Sequence, residues 1–143
     1  MSSAAPSAAF SLHPQLAGDS LPVGDLTLCQ LRLINDAGFP WLLLIPRRPD
    51  ISEIIELDEG DRAVLMQEIA AVSQALKTLT GCDKLNVAAL GNMVPQLHVH
   101  IIARFKGDPA WPKPVWGQVP ARPYAEAVAA DLISQLRRLL SFS

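Results

Sequence analysis

The chain has 143 residues, of which half are hydrophobic and 18% charged, with a formal net charge of −2 at pH 7. That is one domain's worth of chain with enough apolar content to bury a core. The slightly acidic balance argues against a general nucleic-acid binder, and apolar runs of about five residues are too short to cross a membrane. Cys29 and Cys82 show no Cys-x-x-Cys spacing, which suits a reducing cytoplasm better than a disulfide scaffold. Residues 1–9 are small and Ser/Ala-rich, without the charged start and apolar run of a signal peptide. Residues 1–15 are therefore expected to be a flexible lead-in to a single domain over 16–143.

Apolar positions alternate over 26–33 with a change of phase near Cys29 and Gln30, which predicts one strand carrying a bulge or bend. Asn35-Asp36-Ala37-Gly38 is turn chemistry, and 41–45 is a short apolar run fit for a buried strand, stopped by Pro46 and Pro49. Asp58 reads as an N-cap with Asp61 three residues on. Val64/Leu65, Ile69, Val72, Leu76 and Leu79 then recur at helical spacing up to Gly81, a good terminator. The stretches 85–90 and 97–104 read as two more strands joined through Gly91-Asn92, a hairpin that places Asn86 and Asn92 near the second strand's polar row. A loop over 105–120 carries Trp111 and Trp116, read either as packing over the sheet or as the border of a site. Residues 122–140 predict a second helix with Tyr124, Val128, Leu132, Leu136 and Leu139 as its apolar stripe, and Arg137-Arg138 near the favoured C-terminal end. The resulting order, β-β-α-β-β-α, indicates an α+β fold with an antiparallel sheet.

The stretch Gln96-Leu97-His98-Val99-His100-Ile101-Ile102 holds two of the chain's three histidines. Leu97, Val99, Ile101 and Ala103 alternate with Gln96, His98, His100, Ile102 and Arg104, the period of a half-buried strand. Two imidazoles, a carboxamide and a guanidinium thus project from one surface. Three readings stay open on the residues alone. The histidines can be satisfied strand residues. They can form a metal-binding module through His98 and His100, for which the sequence offers no evident third ligand, His13 and the cysteines standing apart. Or they can act on phosphate, since neutral imidazole is a nucleophile near pH 7 and a second imidazole stabilises charge on an attacked phosphate.

The same stretch resembles the histidine triad, His-φ-His-φ-His-φ-φ with φ apolar, of the HIT nucleotide hydrolases and transferases. The likeness spans roughly residues 20–105. Gly91-Asn92-Met93-Val94 stands where that family has Gly-Gln-x-Val, and Asn86 lies near the position of a phosphate-binding Asn. Leu33-Ile34-Asn35-Asp36 and the following 41–46 run resemble the family's ribose-binding acid or amide and its strand ending in Pro. With the 108–112 and 115–117 segments included, the chain looks closest to a bacterial branch described as diadenosine polyphosphate hydrolase-like. Two positions depart from the pattern: Gln96 stands in place of the first triad His, and Trp41 where many members carry a fourth.

What the resemblance implies is an antiparallel sheet of about five strands with two main helices, and a homodimer in the cytoplasm. It also implies cleavage of dinucleoside polyphosphates or related nucleotide conjugates at the α-phosphate. His98 attacks and forms a nucleotidyl-imidazole, and His100 supplies a proton or hydrogen bond to the leaving group. Gln96, Asn92 and backbone amides stabilise the non-bridging oxygens. Asn35 and Asp36 are the candidates for the ribose hydroxyls, with a plain turn as the alternative, and Asn86 and Arg104 for the phosphates. The chemistry requires no cofactor, although a divalent cation on the substrate phosphate is compatible with it. No nucleic acid or membrane is implied as partner. A HIT-fold nucleotide binder with little turnover is the nearest alternative function.

Overall fold

The computed structural model describes residues 9–142. Its strands are β1 (Ser20–Asp25), β2 (Cys29–Ile34), β3 (Trp41–Pro46), β4 (Lys84–Ala88) and β5 (Val99–Arg104). They form one antiparallel sheet in the order β1-β2-β3-β5-β4. The helices are α1 (Pro14–Asp19), α2 (Glu59–Thr80) and α3 (Glu126–Leu139), with a short 3-10 turn at Ile54–Glu56. The α+β class with about five strands and two main helices is what the structure has.

Helix α2 starts and stops where its sequence dictates. The Asp58 carboxylate accepts from the Asp61 N–H at 2.7 Å, and Gly81 closes the helix in the left-handed region at φ 64°. Leu65, Val72 and Leu76 of its buried stripe pack on one sheet face with Leu31, Leu33, Leu42, Leu44, Val99 and Ile101. Each such side chain contributes roughly 1.5–3 kcal/mol by leaving water. Glu68 lies in that stripe too, its two carboxylate oxygens accepting from the Leu28 and Cys29 N–H groups at 2.9 Å each. A buried carboxylate is satisfied there by main chain, and it pins the β1–β2 turn to the helix.

The 26–33 stretch is not one bent strand. The phase change is a chain reversal, with Leu26 N–H donating to the Cys29 carbonyl at 2.8 Å between β1 and β2. The irregularity sits instead in β1, where the register slips between Pro22 and Gly24. A Cβ at Gly24 would come within 2.8 Å of the Arg137 guanidinium and 2.9 Å of the Phe142 ring, so a larger residue there would have to displace those two side chains.

Helix α3 begins at Glu126 rather than at 122. Pro123 disfavours helical backbone at residue 122, and the N–H groups of Arg122 and Tyr124 are taken by the side chains of Asp36 and Asn35. Its inner face is Ala129, Leu132, Ile133 and Leu136; Val128 and Leu139 of the expected stripe are exposed.

The opposite sheet face carries the histidine row, and it is covered. Leu16 of α1, with Phe10 and Leu12, packs on Leu43, Ile45 and Val94. Farther along β5, the 105–120 loop lays Ala110, Val115 and Trp116 over Ile102, Phe39 and Trp41. Of the lead-in expected over 1–15, residues 1–8 lie outside the described residues; 14 and 15 belong to α1.

Candidate active site

Strand β5 projects His98 (just before its first residue), His100, Ile102 and Arg104 to one side, and every residue from Leu97 to Arg104 is buried. The His98 and His100 rings lie 4.9 Å apart between centroids, at 66°. His98 Nδ1 is 2.7 Å from the Gln96 carbonyl oxygen. A carbonyl only accepts, so Nδ1 carries the proton and the neutral ring keeps its lone pair on Nε2.

His100 has the opposite arrangement. Its Nδ1 lies 3.0 Å from Trp41 Nε1. An indole N–H only donates, so His100 Nδ1 accepts and its proton sits on Nε2. Burial, and then the neighbouring His98, push the His100 pKa down to about 4. The ring is therefore neutral at pH 7 and offers one N–H. Trp116 stands edge-on to it at 5.0 Å and to Trp41 at 5.8 Å, so two indoles wall the imidazole.

The first position of the row is tied to the N-terminal segment. Gln96 Oε1 accepts from the His13 N–H and Nε2 donates to the Ser11 carbonyl, both at 2.8 Å. One Nε2–H is left over. Gln96 thus fixes the 11–13 segment with its side chain and His98 with its main chain.

His98 opens into a cavity of about 220 Å³ lined by Ser52, Glu53, Ile54 and Ile55 on one side and Ala89, Leu90 and Gly91 on the other. Ile55, Leu90 and nearby Met93 are exposed apolar side chains. Among the described residues no group of three His, Cys, Asp or Glu side chains is placed to hold a metal ion, so His98 and His100 gain no third ligand.

The HIT domain profile matches residues 17–107. The chain belongs to the histidine triad family. A histidine triad protein from Bradyrhizobium japonicum is 57% identical, with 92% of this chain and 98% of that one covered and a TM-score of 0.91. One from Marinobacter aquaeolei VT8 is 48% identical over 93% of this chain and 97% of that one, with a TM-score of 0.91. A third, from Sinorhizobium meliloti 1021, is 47% identical over 90% and 96% respectively, with a TM-score of 0.89. No curated protein matches the chain. Histidine triad membership supports nucleotide-directed chemistry in general, whether binding, hydrolysis or transfer.

Against that background the other expected site residues fall into two groups. Asn92 is exposed in the turn after the cavity-lining Gly91. The rest work inside the protein. Asn35 Oδ1 accepts from the Tyr124 N–H at 2.9 Å, and Asp36 Oδ1 from the Gly38 N–H at 2.9 Å and the Arg122 N–H at 3.3 Å. The turn reading and the tether to the chain ahead of α3 account for those atoms. Arg104, only 1% exposed, pairs with Asp108 through Nε and Nη2 at 2.7 and 3.0 Å and with Asn86 Oδ1 through Nη1 at 2.9 Å. The Asp108 carboxylate also accepts from the N–H groups of Phe105, Ala110 and Trp111. This knot anchors the tryptophan loop over the histidines. Trp116 does border the histidines, as one of its two readings has it. Asp108 and the 52–55 and 89–91 cavity walls lie outside the expected site residues, and no local sequence signal marks them, because Arg104 ends a strand and Asp108 stands in the loop after it.

Proposed function

We propose that this histidine triad protein hydrolyses dinucleoside polyphosphates or related nucleotide conjugates at the α-phosphate through a nucleotidyl-His98 intermediate. The observation that carries the reading is the 2.7 Å bond from His98 Nδ1 to the Gln96 carbonyl, which leaves Nε2 as the nucleophilic nitrogen. In the first step the Nε2 lone pair forms the N–P bond and the bond to the leaving oxygen breaks, its electron pair staying on that oxygen. Water then forms a P–O bond as the N–P bond returns its pair to Nε2. The nucleoside monophosphate departs and one proton goes to solvent. His100 Nε2–H, the remaining Gln96 N–H, Asn92 and backbone amides of the 91–94 turn are the donors for the phosphate oxygens.

Asn86 and Arg104 serve this reading by holding the loop rather than by meeting phosphate. Asn35 and Asp36 serve the ribose only through atoms their backbone bonds leave over. No cofactor is needed; a divalent cation would come with the substrate phosphates. Among the described residues strand β4 pairs with β5 alone, leaving an open sheet edge with exposed Val87, a fit for the proposed homodimer.

The test is turnover of diadenosine tetraphosphate to a nucleoside monophosphate and triphosphate, and its loss in His98→Ala. Tight nucleotide binding with no products, in the wild type, would leave the binding-only alternative, which the occupied Gln96 carboxamide favours.

A further inference from the structure

The hydrogen bond from Trp41 to His100 bears on which leaving groups the site can release. To act as a general acid, His100 must give up the proton on Nε2 and take another on Nδ1, or begin as the doubly protonated ring. Both routes need Nδ1 to receive a proton. Trp41 Nε1–H points at that nitrogen from 3.0 Å, and an indole can donate a hydrogen bond there without handing the proton over. Beside Trp41, and in contact with it, the Trp116 indole also packs against the ring, and the titratable neighbour in ring contact is His98, the proposed nucleophile. Nothing in this wall relays a proton to Nδ1.

Resting on the proposed function, we infer that the substrates are restricted to those whose leaving group departs as a stable oxyanion, the phosphoanhydrides, and that Trp41 is the residue that sets this limit. When His98 Nε2 bonds to the α-phosphorus of an anhydride, the P–O bond breaks and the electron pair rests on a phosphate oxygen. That anion needs only the hydrogen bond His100 Nε2–H supplies. In a phosphoramidate the same attack would leave the pair on an amide nitrogen, which must gain a proton as it departs. His100 would have to become an imidazolate to provide it. Such substrates are therefore poor ones here. The position-41 side chain is a positioning residue that acts through His100.

The experiment compares the burst of leaving-group release from diadenosine tetraphosphate and from adenosine 5′-phosphoramidate, in wild type, Trp41→His and Trp41→Phe. Wild type should release the anhydride leaving group 10²–10⁴-fold faster than the amine, the usual worth of general acid catalysis. Trp41→His, which puts a titratable ring against Nδ1, should raise the amine-to-anhydride ratio tenfold or more. Trp41→Phe should raise it less. Nitrogen NMR of the wild-type histidine rings, which needs no variant, should show His100 unprotonated at Nδ1 and protonated at Nε2. Amine release within tenfold of anhydride release in wild type, or a proton on Nδ1, overturns the inference while an adduct on His98 keeps the hydrolase reading intact. No release and no adduct from either substrate overturns that reading and the inference with it.

Discussion

His98, just ahead of β5, and His100 within it project to one side and hold their protons on different ring nitrogens. The Gln96 carbonyl takes the Nδ1–H of His98, while the Trp41 indole fills the Nδ1 lone pair of His100. One ring is left with a lone pair on Nε2 and the other with an N–H. A nucleophile beside a fixed donor is what attack on a phosphate needs, and neighbouring groups on the same sheet face establish both.

The His100 environment predicts a pH dependence of stability. Its pKa is about 4 in the folded chain against about 6.5 unfolded. Between those values the unfolded chain binds the extra proton and the folded chain does not, so stability rises with pH there. The contribution should be complete above about pH 6.5 and lost as pH falls towards 4, by at most ~3 kcal/mol. Urea unfolding of wild type and His100→Gln from pH 4 to 7 checks this. A wild-type curve with no steeper fall than the variant's would contradict it.

Gln96→Ala removes two hydrogen bonds to the 11–13 backbone, worth about 1–3 kcal/mol together. Amide exchange at His13 should accelerate, and the Phe10 and Leu12 packing should loosen. Gln96→His restores at most one of the two bonds and should fall between. Unchanged exchange at His13 in Gln96→Ala would show that the carboxamide is not the tie.

Asp108→Ala leaves the buried Arg104 guanidinium without its carboxylate and frees three backbone N–H groups. Burial raises the Asp108 pKa, but Arg104 and those N–H groups outweigh it and hold the carboxyl at about 2. Losing a buried partner of this kind costs about 3–5 kcal/mol. The loop should also release Trp116 from His100, seen as altered tryptophan fluorescence. A melting temperature within a degree or two of wild type would mean the knot is dispensable.

Much of this was legible in the sequence, for identifiable reasons. The α2 boundaries follow from Asp58 and Gly81, and the histidine row from strict alternation in β5. Strand β1 was hidden because Pro22 and Gly24 are poor strand residues; they fit an edge that slips register and is crossed closely by Arg137 and Phe142. The α3 stripe was misread by one position because Val128 and Leu139 share a helical spacing with Leu132 and Leu136. Arg104 and Asn86 read as phosphate contacts from sequence, since a strand-end Arg looks available until Asp108 is folded against it. Trp41 registered only as a departure from the triad pattern. Its bond to His100 depends on where the indole comes to rest across the sheet, which pattern alone does not show.

The proposed hydrolysis stands or falls on the covalent step at His98. Mix the protein with diadenosine tetraphosphate, quench at alkaline pH to preserve an acid-labile N–P bond, and map adducts by peptide mass spectrometry. The expected result is an adenylyl group on the peptide carrying His98, absent in His98→Ala. Hydrolysis that proceeds with no such adduct, at comparable rate in His98→Ala, would contradict it.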